Sequence, residues 1–259
     1  MRDAGAPLLE MRGITKYFGG LCAVGAVDLE LRQGEILAIV GDNGAGKSTL
    51  IKILTGVHQA DEGAILLDGR PVRIASRRDA MDAGIEAVYQ NLGLVDSLDA
   101  PANVFLGSEL KRRVLGVLLL DNSAMEREAA RILREVVGID LDDLSMPTHN
   151  LSGGERQAVA IARGIYNTDL KIMVMDEPTA SLGPEETRNT LALIRRLRAQ
   201  GIAVILISHN LEHVFAVADR VMVMRSGRHV GTVATAATSK RDVLGMIVGA
   251  EVEEIASAG

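Results

Sequence analysis

The sequence is short of cysteine, aromatic residues, net positive charge and long apolar runs, and each shortage removes a class of protein. Cys22 is the single cysteine, so there is no internal disulfide framework and the chain suits a reducing compartment. Cys22 itself reads as a small buried apolar residue. Tryptophan is absent, and three tyrosines and three phenylalanines leave little for a platform on which nucleic-acid bases could stack. A net charge of -6 gives no basic field to gather a polyanion. The basic clusters Arg77-Arg78, Lys111-Arg112-Arg113 and Arg195-Arg196 are short and read as solvated faces. The most apolar internal run, VLGVLLL at 114–120, is far below the ~20 residues of a membrane span. The opening residues MRDAGAPLLEMRG lack the apolar stretch of a signal peptide. The expectation is a soluble, cytoplasmic protein that does not bind nucleic acid.

What is present is a 47% hydrophobic fraction over 259 residues, ample for a core with an inserted subdomain. Residues 8–40 are strand-rich, with alternation around Val27, Leu29 and Leu31, and AILLDGRPVRI (64–74) reads as a hairpin turning at Asp68-Gly69. GIEAVYQ (84–90) reads as a further strand. In 121–137, Ser123 and Glu126 form a capping box ahead of an apolar stripe through Ala129, Ile132, Leu133, Val136 and Val137. A second helix covers 156–165. Strand signals return at 172–175, 203–207 and 221–224, with a helix from Pro184 to just before Gly201 between the first two. Short apolar strands alternating with amphipathic helices predict a largely parallel sheet with helices on both faces. The helical stretch from about 92 to 168 then interrupts the core as a subdomain.

Three stretches carry chemistry. GDNGAGKST (41–49) follows the apolar run ILAIV and precedes LIKIL. Its spacing of Gly41, Gly46, Lys47 and Ser48 fits the phosphate loop G-x-x-x-x-G-K-[ST], in which backbone N–H groups and a helix N-terminus cradle an anion. Asp42, Asn43, Gly44, Ala45 and Thr49 complete the loop. IMVMDE ends a strand in Asp176 and Glu177. Two carboxylates there could sit in a solvated turn. With a phosphate loop upstream, Asp176 is the candidate for a magnesium ion shared with the Ser48 hydroxyl, and Glu177 for activating water. In LSGGERQ (151–157), Ser152 and Glu155 form an ordinary capping box. Capping does not call for Gly153 and Gly154, which cost roughly 1 kcal/mol each in a first turn. A second phosphate lying on bare backbone does.

These motifs together resemble the nucleotide-binding subunit of ATP-binding cassette (ABC) transporters, with a likeness covering residues 8 to about 249. The resemblance implies a P-loop NTPase fold: an α/β RecA-like core (8–91 and 169–230) with an antiparallel β subdomain, an inserted α-helical subdomain (about 92–168), and a C-terminal extension at 231–259. ATP and Mg2+ are the implied ligands. LSGGE matches the signature motif, so Ser152, Gly153, Gly154 and Glu155 are expected to contact ATP held by a second copy of the chain. Gln90 matches the glutamine loop, touching magnesium and sensing the membrane partner. His209 matches the switch histidine on the terminal phosphate, although a lone histidine after a strand is otherwise more often structural. Phe18 matches the aromatic that stacks on adenine, with Tyr17 as the alternative. One departure is that Ala180, Ser181, Leu182 and Gly183 stand where the family reads S-A-L-D.

The implied activity is ATP hydrolysis that powers import through a separate membrane permease, with a substrate-binding protein outside the cell and this subunit on the inner face of the membrane. LTGVHQADEGAILLDGRPV (54–72) and DAGIEAVYQNLGLVDSLDAPANVFLG (82–107) resemble the monosaccharide-uptake group. The alternatives are a branched-chain amino acid importer, or a soluble ABC ATPase acting on nucleic acid or ribosomes.

Overall fold

The computed structural model describes residues 6–249 apart from 115, 168 and 181. Twelve strands among them are β1 (Leu9–Phe18), β2 (Leu21–Leu31), β3 (Ile36–Val40), β4 (Glu62–Leu67), β5 (Arg70–Val72), β6 (Ile85–Val88), β7 (Lys111–Val114), β8 (Val117–Leu120), β9 (Ile172–Asp176), β10 (Ala203–Ile207), β11 (Arg220–Arg225) and β12 (Arg228–Ala234). The α-helices are α1 (Lys47–Leu54), α2 (Arg77–Asp82), α3 (Ala100–Val104), α4 (Asn122–Arg131), α5 (Gly153–Asn167), α6 (Pro184–Ala199), α7 (Leu211–Val217) and α8 (Lys240–Val248).

The central sheet has six strands in the order β12-β11-β3-β10-β9-β6, parallel except for the β11–β12 edge pair. β3 and β10 are buried at every residue, the pattern of strands covered on both faces. The pleat sends alternate side chains to two cores. Ile36, Ala38 and Val40 join Met173, Met175, Val204 and Leu206 on the side covered by α5 and α6. Leu37 and Ile39 join Val174, Ile205 and Ile207 on the side covered by α1 and the antiparallel sheet β2-β1-β4-β5. The predicted parallel sheet with both faces covered is therefore present, as is the hairpin turning at Asp68-Gly69, where Asp68 takes a positive φ of 51°.

Four expectations are corrected. The cap of α4 is Asp121, whose side chain accepts the Ala124 N–H at 3.0 Å, not Ser123 with Glu126. The helix starts two residues earlier than that box requires, and it passes into a π-helical segment at Ile132–Val137. Residues 111–120, within the stretch expected to be helical, form the hairpin β7–β8. Two short strands joined by a glycine turn satisfy each other's backbone groups, which a single isolated apolar run could not. Residues 231–249, read as part of an extension, carry the end of β12 and then α8. α8 buries Val243 and Ile247 in the helix-side core, so this part of the extension packs on the core. The rest of that extension, 250–259, lies outside the described residues. Finally, Cys22 is exposed, not buried.

Candidate active site

The order of the sheet determines which motifs meet. β3 lies beside β10, β10 beside β9, and β9 beside β6. The residues leaving their carboxyl ends are, in that order, the 41–49 loop, His209, Asp176-Glu177 and Gln90. Stretches far apart in sequence thus share one rim of the sheet, where α/β folds bind ligands.

The loop at 41–49 is shaped by glycine. Gly41 has φ 151°, and a Cβ there would come within 2.1 Å of the Met224 carbonyl oxygen. Gly46 has φ 94°, and its Cβ would lie 2.7 Å from the Ala23 carbonyl. Both collisions are with backbone, which cannot swing aside, so glycine is required by the neighbouring strand and turn. Gly46 has no side chain to cap α1, which leaves the first N–H groups of that helix free for an anion. The cleft around the loop measures about 370 Å³ and is lined by loop residues with Leu21, Cys22, Ala23, Ser226 and Gly227. No sequence signal marked those five. They are there because the Gly227 N–H donates to the Ala45 carbonyl (3.1 Å) and the Gly25 N–H to the Gly227 carbonyl (2.8 Å), binding the β11–β12 turn and β2 to the loop.

Lys47 crosses the loop, its Nζ donating to the carbonyls of Gly41 (2.7 Å) and Asp42 (2.9 Å). Burial lowers its pKa, against the opposing pull of Glu177, Asp176 and Asp42. Asp176 is shifted the other way: burial raises its pKa, Glu177 repels it, and Lys47 and Lys52 partly compensate. Among the described residues no three His, Cys, Asp or Glu side chains form a metal cage. A single partly buried carboxylate and a hydroxyl nevertheless suit magnesium, which takes its other ligands from phosphate and water.

Glu177 has φ 52°, a left-handed conformation that is unfavourable for a residue with a Cβ. Its N–H donates to the Ile207 carbonyl at 2.9 Å, and its carboxylate Oε2 lies 2.9 Å from His209 Nδ1. The backbone turn carries the side chain away from the strand direction, and β10 presents the histidine that meets it. Nearby, His213 Nδ1 lies 2.9 Å from the Thr179 hydroxyl, and the Asn210 side chain caps α7. Gln90 is exposed and lines a surface cleft with Asn91, Leu92, Asp96 and Arg156. Tyr89 just before it is anchored to α1, its hydroxyl 2.7 Å from that of Thr55.

The raised pKa of Asp176 has a stability consequence. The folded chain holds this proton more tightly than the unfolded chain does, so ionisation at neutral pH opposes folding and the cost falls as pH is lowered. Asp176→Asn is therefore expected to raise the melting temperature by about 1–3 °C while it removes metal-dependent hydrolysis. Calorimetry without nucleotide checks the first outcome and a phosphate-release assay the second. A lowered melting temperature would contradict the desolvation account.

Two predicted site segments lie apart from this rim. Phe18 is exposed, meeting His58 edge to face (centroids 5.2 Å apart), with Lys16 Nζ 5.7 Å from its ring centre. Tyr17 is exposed as well. Ser152 and Glu155 form their capping box at the start of α5, the Ser152 N–H donating to Glu155 (2.8 Å) and the Glu155 N–H to Ser152 (3.3 Å). None of these four residues lines the phosphate-loop cleft. A Cβ on Gly153 would lie 2.8 Å from the Leu182 side chain, whereas one on Gly154 would meet nothing within 4 Å. Packing within the chain thus accounts for Gly153 but not for Gly154. Sequence reasoning missed Glu186: one carboxylate oxygen accepts the Gly153 N–H (3.2 Å), the other the Gly183 N–H (3.0 Å). The loop in which Gly183 replaces the family's aspartate is thereby tied to the start of α5; Ser181 in that loop lies outside the described residues.

Comparison with known proteins bears on this rim. The family model for ABC transporters matches residues 24–180. The chain is 42% identical over 248 residues to the fructose import ATP-binding protein FrcA of Rhizobium meliloti, covering 95% of each. It is 45% identical to the ribose import ATP-binding protein RbsA 1 of Rubrobacter xylanophilus, over 96% of this chain but only 48% of that protein. The chain thus spans about half the length of that ribose relative. Among solved structures, the ADP conformation of an ATP-binding cassette of an ABC transporter superposes with a TM-score of 0.78 at 25% identity, covering 98% of this chain and 100% of that one.

Proposed function

We propose, from the premise that this chain belongs to the ABC transporter family, that it is the ATP-hydrolysing subunit energising monosaccharide import through a separate membrane permease. The observation that carries this reading is 42% identity to a fructose import ATP-binding protein over 95% of both chains. The strand-end grouping of the 41–49 loop, Asp176, Glu177 and His209 supports the chemistry.

In this reading the N–H groups of 41–49 and the Lys47 ammonium hold the phosphates of ATP, and Phe18 stacks on adenine. Ser48, Asp176 and Gln90 would hold a magnesium ion, which would supply charge neutralisation at the phosphates. Glu177 accepts the proton of the attacking water, with its carboxylate steered by His209, 2.9 Å away. His209 is largely exposed and so can reach a terminal phosphate. Ser152, Gly153, Gly154 and Glu155 complete the site of a second copy, which makes the working unit a head-to-tail homodimer. Among the described residues no helix is long and apolar enough to cross a membrane. The permease of this proposal is another chain, and this subunit sits at the cytoplasmic face, with a binding protein delivering sugar on the other side.

The test is reconstitution with the permease in proteoliposomes against a panel of sugars and branched-chain amino acids. Sugar-loaded binding protein is expected to raise ATP turnover over the isolated subunit. Gln90→Ala is expected to blunt that rise more than it weakens ATP binding, because a partner biases a conformational equilibrium only through contacts that differ between states. Stimulation by leucine and by no sugar would overturn the sugar assignment. Activation by DNA or ribosomes, with none by a permease, would overturn transport.

A further inference from the structure

Between α3 and α4 the chain leaves the core as the ribbon β7–β8, in which the fold leaves the side chains of 111–113 and 117–120 uncovered. Val117, Leu118, Leu119 and Leu120 on β8 keep 58%, 61%, 47% and 52% of their surface exposed. Opposite them on β7, Lys111, Arg112 and Arg113 are exposed as well. The acidic neighbour Glu109 attracts Lys111, but its carboxylate is engaged by the Gly107 N–H at 2.9 Å. An exposed apolar edge strand is ordinarily an aggregation hazard that proteins blunt or cover.

We propose that this ribbon seats on an anionic lipid surface, with the three cations at the phosphates and the β8 aliphatics at the boundary between headgroups and acyl chains. The register favours a membrane over a protein partner. Lys111 faces Leu120, Arg112 faces Leu119 and Arg113 faces Leu118, and successive pairs point to opposite faces. Each face therefore presents the same arrangement, cationic along one edge and aliphatic along the other. The same arrangement on both faces suits edge-on seating, with the aliphatic strand below the cationic one, as a lipid interface provides. The strands are about 5 Å apart, which matches the shallow depth of about 5–10 Å at which amphipathic elements lie. The outer backbone edge of β8 limits insertion to that depth, since its unpaired N–H and C=O groups must stay hydrated.

The position is suitable too. Leu106, shortly before β7, is exposed and lines a cleft of about 340 Å³ with Asn91, Leu92 and Gly93, next to Gln90. In one respect the inference rests on the proposed function: if the Gln90 side of the molecule meets a permease, the ribbon faces the bilayer around it. The net charge of -6 means the remainder of the chain is repelled by anionic lipid, so the ribbon determines the orientation and binding is strongly salt-sensitive.

The test is flotation of the full-length chain with vesicles of phosphatidylcholine alone or with about 30% phosphatidylglycerol, a strongly anionic surface. Wild-type protein is expected to float with the anionic vesicles at low salt and to be released at high salt. The triple variant Lys111→Glu/Arg112→Glu/Arg113→Glu is expected to lose roughly 100-fold or more in partitioning, from about fivefold for each of the three cations at such a surface. Leu118→Ser/Leu119→Ser is expected to lose about tenfold, because shallow seating recovers only part of the transfer free energy of each leucine. Both variants should keep wild-type basal ATPase activity, which shows that the fold is intact. Wild-type protein that stays unbound on anionic vesicles at low salt would overturn the proposal, as would equal binding by the charge-reversed variant. Unchanged flotation combined with lost permease co-purification would assign the ribbon to a protein partner instead. Flotation is read without a permease, so its failure leaves the transport reading standing, and the reverse also holds.

Discussion

Glu177→Gln lowers ATP hydrolysis by roughly 10²–10⁴-fold and leaves ATP binding intact, the expected result of removing a general base. The substitution isolates the charge. Glutamine keeps the length of glutamate and can occupy the same left-handed backbone position, where φ is 52° and the N–H is held by the Ile207 carbonyl. What is lost is the ability to take a proton and the attraction between the carboxylate and His209, 2.9 Å away. Repulsion of Asp176 by Glu177 disappears as well, so the folded protein should be no less stable than wild type. With binding intact and hydrolysis blocked, the ATP-bound dimer should accumulate, and size-exclusion chromatography in ATP would detect it. Turnover near wild type would exclude Glu177 as the base. His209→Ala would then be the next variant to measure, since it removes the imidazole in contact with that carboxylate.

The second large effect is complementation between two inactive chains. Lys47→Ala is expected to abolish nucleotide binding, because it removes the buried ammonium that spans the loop from Gly41 to Asp42 and faces the phosphates. Gly154→Leu is expected to leave ATP binding by the monomer unchanged, since a Cβ at 154 meets nothing in its own chain within 4 Å and the side chain starts from open space. It should nevertheless abolish hydrolysis if, as proposed, the bare backbone at 154 completes the site of the other copy. A heterodimer of the two variants has one doubly damaged site and one intact site. Random pairing of equal amounts makes about half the dimers mixed, so roughly a quarter of wild-type activity returns if the sites act independently. Activity recovered from two inactive proteins is hard to obtain in any other way. No recovery, with heterodimers shown to be present by native mass spectrometry, would contradict a shared site, as would full activity in Gly154→Leu alone.

The sequence by itself determined the local structure of this protein. Gly41, Gly46, Lys47 and Ser48 are legible because the spacing of a phosphate loop is contiguous, and the glycines answer backbone collisions that are severe wherever that turn is made. The central strands are legible because burial on both faces leaves an unbroken apolar run, as in ILAIV and AVILI. The capping box at Ser152 and the helix start at Pro184 are local signals, lying within a few residues of the helices they open, and both are present.

The tertiary structure decided what depends on contacts distant in sequence. Periodicity does not encode strand order, and only the order β3-β10-β9-β6 brings the phosphate loop, His209, Asp176-Glu177 and Gln90 to one rim. The contact of Glu177 with His209, the Glu186 carboxylate shared between Gly153 and Gly183, and the β11–β12 turn closing over Ala45 all join residues more than thirty positions apart or held by different elements. Cys22 was misread for the same reason: an edge position beside a cleft and a core position look alike in a strand. The ribbon at 111–120 was read as part of a helical stretch because a short apolar run has no period to distinguish strand from helix. Its backbone pairing, and not its hydrophobicity, fixes its structure, and that pairing leaves its leucines in the open.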